Sequence, residues 1–210
     1  MTAQRGRRYD AVAFDLLTAL IDSWALWNEV AGTAEAGLRW RKRYLEITYG
    51  CGPYRPYEDL VMEAASATGI PRDRAGRLHS RWGELRPWPE APAVLAALES
   101  GVPIGVATNC SEAKGRAATG GRFAAVVTAE TVGFYKPDRR VDDAVLAALG
   151  TDPSRTLFVA GSASDVAGAK AAGMRVFWHN RIALPCPDGA APDFVEHYLE
   201  SLAALVTGAR

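Results

Sequence analysis

The stretch Ala11-Val12-Ala13-Phe14-Asp15-Leu16-Leu17-Thr18-Ala19-Leu20-Ile21-Asp22 decides the fold. Its first four residues form an unbroken apolar run, the pattern of a strand buried on both faces of a parallel sheet, and the run stops on an acid. Comparable runs recur at 103–107 before Thr108, at 124–127 before Thr128, at 156–160 before Gly161 and at 174–178 before His179. Helical patterns lie between them, at 91–99, 111–119, 140–149 and 165–172. Strand and helix alternating at this spacing predict an α/β fold with a doubly wound parallel sheet, in which ligands gather beyond the carboxyl ends of the strands.

Working outward from Asp22, the alternation breaks over residues 23–88, which read as helical throughout, rich in Trp, Tyr and Arg, with breaks at 50–56 and 69–71. This predicts a small helical cap (23–88) inserted into a core made of residues 1–22 and 89–210. Its aromatic residues, Trp24, Trp27, Trp40, Tyr44, Trp82 and Trp88 among them, read mainly as packing, with enough apolar surface to permit a homodimer. Lys plus Arg and Asp plus Glu stand at 24 each, so no overall basic field would gather nucleic acid. The one short basic cluster is Arg5, Arg7 and Arg8. No apolar stretch reaches the roughly 20 residues of a membrane span, and the first residues lack a signal-peptide pattern; the expectation is a cytoplasmic protein without a membrane partner. Three cysteines, Cys51, Cys110 and Cys186, lie far apart with no CxxC pair, and read as reduced thiols rather than a zinc site.

Four clusters carry candidate chemistry. Asp15 at a strand tip is either a nucleophile ringed by backbone N–H groups or an acidic helix N-cap, and the cluster alone leaves both readings open. Thr108-Asn109 ends a buried strand before a helix, where hydroxyl and amide suit an anion or an ordinary cap. Lys136 precedes Pro137 in Gly133-Phe134-Tyr135-Lys136-Pro137-Asp138, where its ammonium can balance a carboxylate or simply be solvated. Gly161-Ser162-Ala163-Ser164-Asp165 opens a helix with an acid that caps it or polarises a water.

In order, these clusters resemble the four motifs of the haloacid dehalogenase superfamily, over essentially the whole chain. Within it, Trp40-Arg41-Lys42-Arg43-Tyr44-Leu45-Glu46-Ile47-Thr48-Tyr49 is similar to the cap signature of L-2-haloacid dehalogenases, and Tyr135-Lys136-Pro137-Asp138-Arg139-Arg140-Val141 to their lysine motif. The resemblance implies that Asp15 is the nucleophile, Lys136 its positive partner and Asp165 the group that prepares water. It implies that Arg41 faces the leaving group and that Thr108 and Asn109 bind the substrate anion, with Leu16, Leu17 and Ser162 completing the substrate pocket. The implied partners are a small carboxylic acid and water.

Phosphatases of this superfamily carry an acid two residues after the nucleophile and another in the last motif for magnesium; here those positions are Leu17 and Gly161. Without the general acid an alkoxide leaves poorly, and without the second carboxylate a magnesium ion is poorly held, so the resemblance implies attack on carbon with no metal and no cofactor. Departures surround the leaving group: Leu17-Thr18-Ala19 replace Tyr-Gly-Thr, and Asp142, Ser162 and Ser164 make the expected pocket more polar. That pattern keeps ring opening of an azetidine-2-carboxylate-type amino acid as an alternative, with a phosphatase or a non-catalytic binding protein further behind.

Overall fold

The computed structural model describes residues 7–186, 189 and 191–208; Arg5 of the basic cluster lies outside them. Six parallel strands, β1 (Ala11–Phe14), β2 (Ile104–Thr108), β3 (Ala125–Thr128), β4 (Thr156–Ala160), β5 (Arg175–His179) and β6 (Phe194–Glu196), form one sheet in the order β3-β2-β1-β4-β5-β6. In β1, Val12 faces Ile104 on one side and Leu157 on the other, and all four residues are buried. A strand with neighbours at both edges and helices over both faces has no polar face to present, which is why it reads as an unbroken apolar run. The chain winds outward through β2 and β3 on one side of β1 and through β4 to β6 on the other. Asp15 therefore stands at the point where the strand order reverses, the place where doubly wound sheets open a crevice.

The inserted stretch 23–88 carries the helices α1 (Ser23–Ala31), α2 (Ala34–Gly50), α3 (Tyr57–Ala67) and α4 (Arg72–Ser80). Its entry and exit lie side by side, bridged at Ile21 and Pro87, and Trp88 Nε1 donates to Thr18 O at 3.0 Å. Close approach of α1 and α2 depends on Gly37, where a Cβ would come within 2.2 Å of Asn28 Oδ1. Trp40 Nε1 donates to Val61 O at 2.8 Å and ties α2 to α3. The cap aromatics serve as packing, as the sequence reading has it: Trp24, Trp27, Trp40, Tyr44, Trp82 and Trp88 are no more than 8% exposed. A cap this small needs its largest apolar side chains for its own core.

The remaining helices are α5 (Ala91–Glu99), α6 (Glu112–Thr119), α7 (Ala129–Val132), α8 (Arg139–Leu149), α9 (Ala163–Ala171) and α10 (Leu202–Thr207). On one face of the sheet, Val141 and Val145 of α8 and Val166 and Ala169 of α9 pack on Ala13, Phe158 and Val176. On the other, Leu95, Leu98, Leu202 and Val206 join Val12, Val106 and Leu157 in a cluster that continues through Leu16 and Leu20 into the cap. Thus one apolar body spans sheet and cap, and the segment after Asp15 is its bridge. The sequence reading contains five of the six strands and misses β6. No helix among the described residues is long and apolar enough to cross a membrane.

Candidate active site

Asp15 leaves β1 with its N–H donating to Val159 O at 2.9 Å, so the backbone is still fixed to β4 when the carboxylate emerges. Leu16–Leu20 then form a π-helical turn closed by Ile21 N–H donating to Leu16 O at 3.1 Å, and all five residues are buried. The wide turn aims two amides and a hydroxyl back at the acid. Asp15 Oδ2 accepts from Thr18 N at 2.9 Å, Thr18 Oγ1 at 2.6 Å and Ala19 N at 3.3 Å. Oδ1 accepts from Lys136 Nζ at 2.9 Å.

Lys136 Nζ also lies 3.1 Å from Asp165 Oδ1, so one buried ammonium is shared by two buried carboxylates. The two acids respond in opposite senses. Burial pushes Asp15 up, but the Lys136 charge and the hydrogen bonds from Thr18 and Lys136 outweigh it and hold the carboxyl below its ordinary value. Burial pushes Asp165 up as well; there Lys136 opposes it, the negative Asp15 reinforces it, and the net shift is upward. Burial disfavours the charge on Lys136, yet the two acids hold its pKa well above the ordinary amine range. The site thus sets an ionised carboxylate beside one with enhanced proton affinity.

Lys136 is positioned by Asn109. The amide clasps the lysine backbone, with Lys136 N donating to Asn109 Oδ1 at 2.7 Å and Asn109 Nδ2 donating to Lys136 O at 3.2 Å. The side chain that the sequence offers to the substrate is thus largely engaged with its neighbour. Thr108 is fully buried, its Oγ1 3.5 Å from Cys110 Sγ, and burial pushes that thiol up to about 12, which makes it an inert filler. At the start of α9, Ser162 Oγ donates to Asp165 Oδ2 at 2.9 Å and lies 2.7 Å from Ser164 Oγ.

From the cap, Arg41 Nη1 donates to Ser23 Oγ at 2.6 Å, and Ser23 Oγ donates to Leu17 O. The guanidinium carbon lies 4.3 Å from the ring centre of Trp24 and 5.3 Å from that of Trp27. Arg41 forms no ion pair among the described residues. Core and cap close over a cavity of about 30 Å³. Asp15, Leu17, Arg41, Thr108, Asn109, Lys136, Ser162 and Asp165 all line it. Leu16 does not; its side chain lines a separate groove of about 470 Å³ shared with Trp82, Leu95 and Phe123. Asp142, which the sequence places in the pocket, lies outside its lining and packs under Gly168, where a Cβ would stand 3.0 Å from Asp142 Oδ2.

Five further residues line the cavity: the sequence reading takes Trp27 and Tyr44 as packing and gives Thr18, Leu45 and Tyr57 no role. Tyr44 and Leu45 sit three and four positions after Arg41, the spacing that shares a helix face, so that signal was available. Tyr57 carries no such signal. For a magnesium site of the phosphatase kind the residues do not fit, because a Cβ on Gly161 would fall 2.2 Å from both Ala19 N and Thr18 Oγ1. The turn that follows Asp15 leaves no room for an acid at that position.

A model of the haloacid dehalogenase-like hydrolases matches residues 9–173, and the chain belongs to that family. It is a hydrolase of the haloacid dehalogenase type. The chain is 31% identical to (S)-2-haloacid dehalogenase 4A of Burkholderia cepacia, over 93% of this chain and 92% of that one. It is also 31% identical to a phosphoserine phosphatase of Thermus thermophilus, over 80% of this chain and 72% of that one. Among solved structures, a dehalogenase with an intermediate complex superposes with a TM-score of 0.84 at 26% identity, covering 96% of this chain and 98% of the other.

Proposed function

We propose that the protein hydrolyses a small 2-haloacid by carboxylate attack on carbon, without metal, through an ester of Asp15. The observation that carries this reading is the unequal treatment of the two Asp15 oxygens. Among the described residues, Oδ2 accepts three donors from Thr18 and Ala19, whereas Oδ1 accepts only the Lys136 ammonium. Oδ1 keeps a lone pair for displacement at the substrate C2: the Oδ1–C2 bond forms as the carbon–halogen bond breaks, and the halide leaves with the bonding electrons.

Oδ2 then becomes the ester carbonyl oxygen, already seated among three donors. When water adds to Asp15 Cγ, negative charge develops on Oδ2, where Thr18 N, Thr18 Oγ1 and Ala19 N are in place to stabilise it. Asp165, with its raised proton affinity, takes a proton from that water. Collapse of the adduct breaks the Cγ–Oδ1 bond, and the departing oxygen leaves as the hydroxyl of a 2-hydroxy acid. Proton balance closes with one H⁺ released alongside the halide.

The (S)-2-haloacid dehalogenase relative supports this substrate class, and the closed cavity, with room for about two waters, supports a small acid admitted by parting of the cap. The phosphatase relative raises the competing reading, against which Leu17 and Gly161 stand. The test is halide release from (S)-2-chloropropionate, with azetidine-2-carboxylate and p-nitrophenyl phosphate plus Mg²⁺ as comparison substrates. The expected result is halide release and a mass adduct on the Asp15 peptide after rapid quench, both absent in Asp15→Asn. Robust magnesium-dependent phosphate release with no halide release would overturn the reading.

A further inference from the structure

In-line displacement fixes where the leaving group must go. Asp15 attacks from the core floor of the cavity, so the halide departs away from it, toward the lining supplied by the cap. That lining comprises Trp27, Arg41, Tyr44, Leu45 and Tyr57. Leu45 has no donor, and the Tyr44 hydroxyl is engaged with Asn109 O at 3.2 Å. Two of the lining residues carry an unused polar atom. Tyr57 Oη and Trp27 Nε1 are both buried and have no hydrogen-bond partner among the described residues, in side chains only 1% exposed. Buried donors are nearly always paired, and two residues with orphan donors lining one small cavity with a cation that has no carboxylate partner among the described residues call for a shared explanation.

The geometry points to Tyr57 and Trp27 as hydrogen-bond donors to the departing halide, forming with Arg41 a three-donor cradle in the roof of the active site. This assignment rests on the haloacid reading above. Tyr57 suits the task chemically, because burial keeps its hydroxyl protonated far beyond any working pH, with Arg41 opposing only in part. Cap closure then completes the reaction site rather than merely covering it: the acid that attacks belongs to the core and the donors that receive the halide belong to α1, α2 and α3.

O–H and N–H donors discriminate among halides. Fluoride is small and a strong hydrogen-bond acceptor, bromide is large and weak, and a poor leaving group depends most on donors that meet its developing charge. The cradle therefore contributes most to fluoride departure and least to bromide departure.

The experiment compares kcat/KM of wild type, Tyr57→Phe and Trp27→Phe on bromo-, chloro- and fluoroacetate, following halide release, together with thermal unfolding of each variant. Tyr57→Phe keeps the ring and removes only the hydroxyl. The expected result is a loss of roughly 10- to 100-fold on the most fluoride-like substrate that the wild type turns over, shrinking toward bromide, since a hydrogen bond to a charged group has this worth. Unfolding temperature should hold or rise in Tyr57→Phe, because an unpartnered hydroxyl has been removed from the interior. Halide release that is unaffected, or reduced equally for every halide, would overturn the assignment while leaving the haloacid reading in place. A wild-type protein that releases no halide from any of these acids would sink the haloacid reading and the cradle with it.

Discussion

Thr18 Oγ1 donates to Asp15 Oδ2 at 2.6 Å, the shortest of the three hydrogen bonds that hold that oxygen. The contact exists because the π-helical turn brings residue 18 back over residue 15. If Oδ2 becomes the oxyanion during ester hydrolysis, Thr18 serves the second step more than the first. Thr18→Val removes the hydroxyl at nearly constant shape, and the expected effect is a roughly 10- to 100-fold slower hydrolysis of the ester. Rapid-quench mass spectrometry should then show the Asp15 adduct accumulating to a larger fraction than in wild type. A variant that slows while its adduct falls would assign Thr18 to the attack step.

Among the described residues Lys136 is the sole ammonium between Asp15 and Asp165, at 2.9 and 3.1 Å. Lys136→Met leaves two buried carboxylates facing each other, so activity should vanish and stability at neutral pH should fall by about 3 kcal/mol. The sign with pH follows from the wild-type shifts. Asp15 lies below its ordinary value, so its stabilising contribution is present above that value and fades as pH drops through the lowered one. Without the ammonium both acids move upward and take protons earlier. The destabilisation of Lys136→Met should therefore shrink as pH is lowered from 7 toward 4, measured by denaturant titration. A penalty independent of pH would assign the loss to packing.

Much of this was legible in the sequence where one residue type at one position suffices. An apolar run ending on an acid announces a buried strand with a carboxylate at its tip, and β1, β2, β4 and β5 are found within a residue of where the runs lie. Strand β6 escapes notice because Phe194-Val195-Glu196 is three residues long and largely exposed, held by pairing with β5 rather than by an apolar pattern. The roles that depend on turn geometry or distant contacts were harder to read. Leu16 and Leu17 are adjacent, yet the π-helical turn sends one toward the large groove and the other into the cavity. Asn109 lines the cavity and also clasps the Lys136 backbone, a contact that no spacing in the sequence announces. Tyr57, at the start of α3, looks like any packing aromatic of a small cap.

Asp142 makes a separate pH prediction. It is 2% exposed, its Oδ1 has no hydrogen-bond partner among the described residues, and burial lifts its carboxyl to about 7 from 3.8, with Lys136 opposing and Asp165 adding to the rise. A raised acid favours the fold while protonated, so this contribution is full below about 4 and is lost as pH rises through about 7. Asp142→Asn removes the cost of ionising at this position. Its unfolding temperature should exceed that of wild type at pH 8, corresponding to at most about 4 kcal/mol by linkage, and the gain should disappear near pH 4. A gain of equal size at both pH values would show that Asp142 is not the titrating group.

Gly161 bears on the proposed choice of attack on carbon over phosphoryl transfer by steric means. A Cβ there would meet Ala19 N and Thr18 Oγ1 at 2.2 Å, and both atoms are donors to Asp15 Oδ2. No flexible side chain can give way, because one of the opposing atoms is backbone in a turn whose residues are all buried. Even Gly161→Ala must therefore push the turn off the carboxylate, destabilising the protein by about 2 kcal/mol or more through overpacking and reducing halide release at least 100-fold through misplaced donors. The double variant Leu17→Asp/Gly161→Asp, which restores the two phosphatase acids on paper, should gain no magnesium-dependent turnover of p-nitrophenyl phosphate, since the second acid has no space to enter. Appearance of that turnover would show that the nucleophile turn can be displaced without losing Asp15, and the steric distinction between the two chemistries would fall.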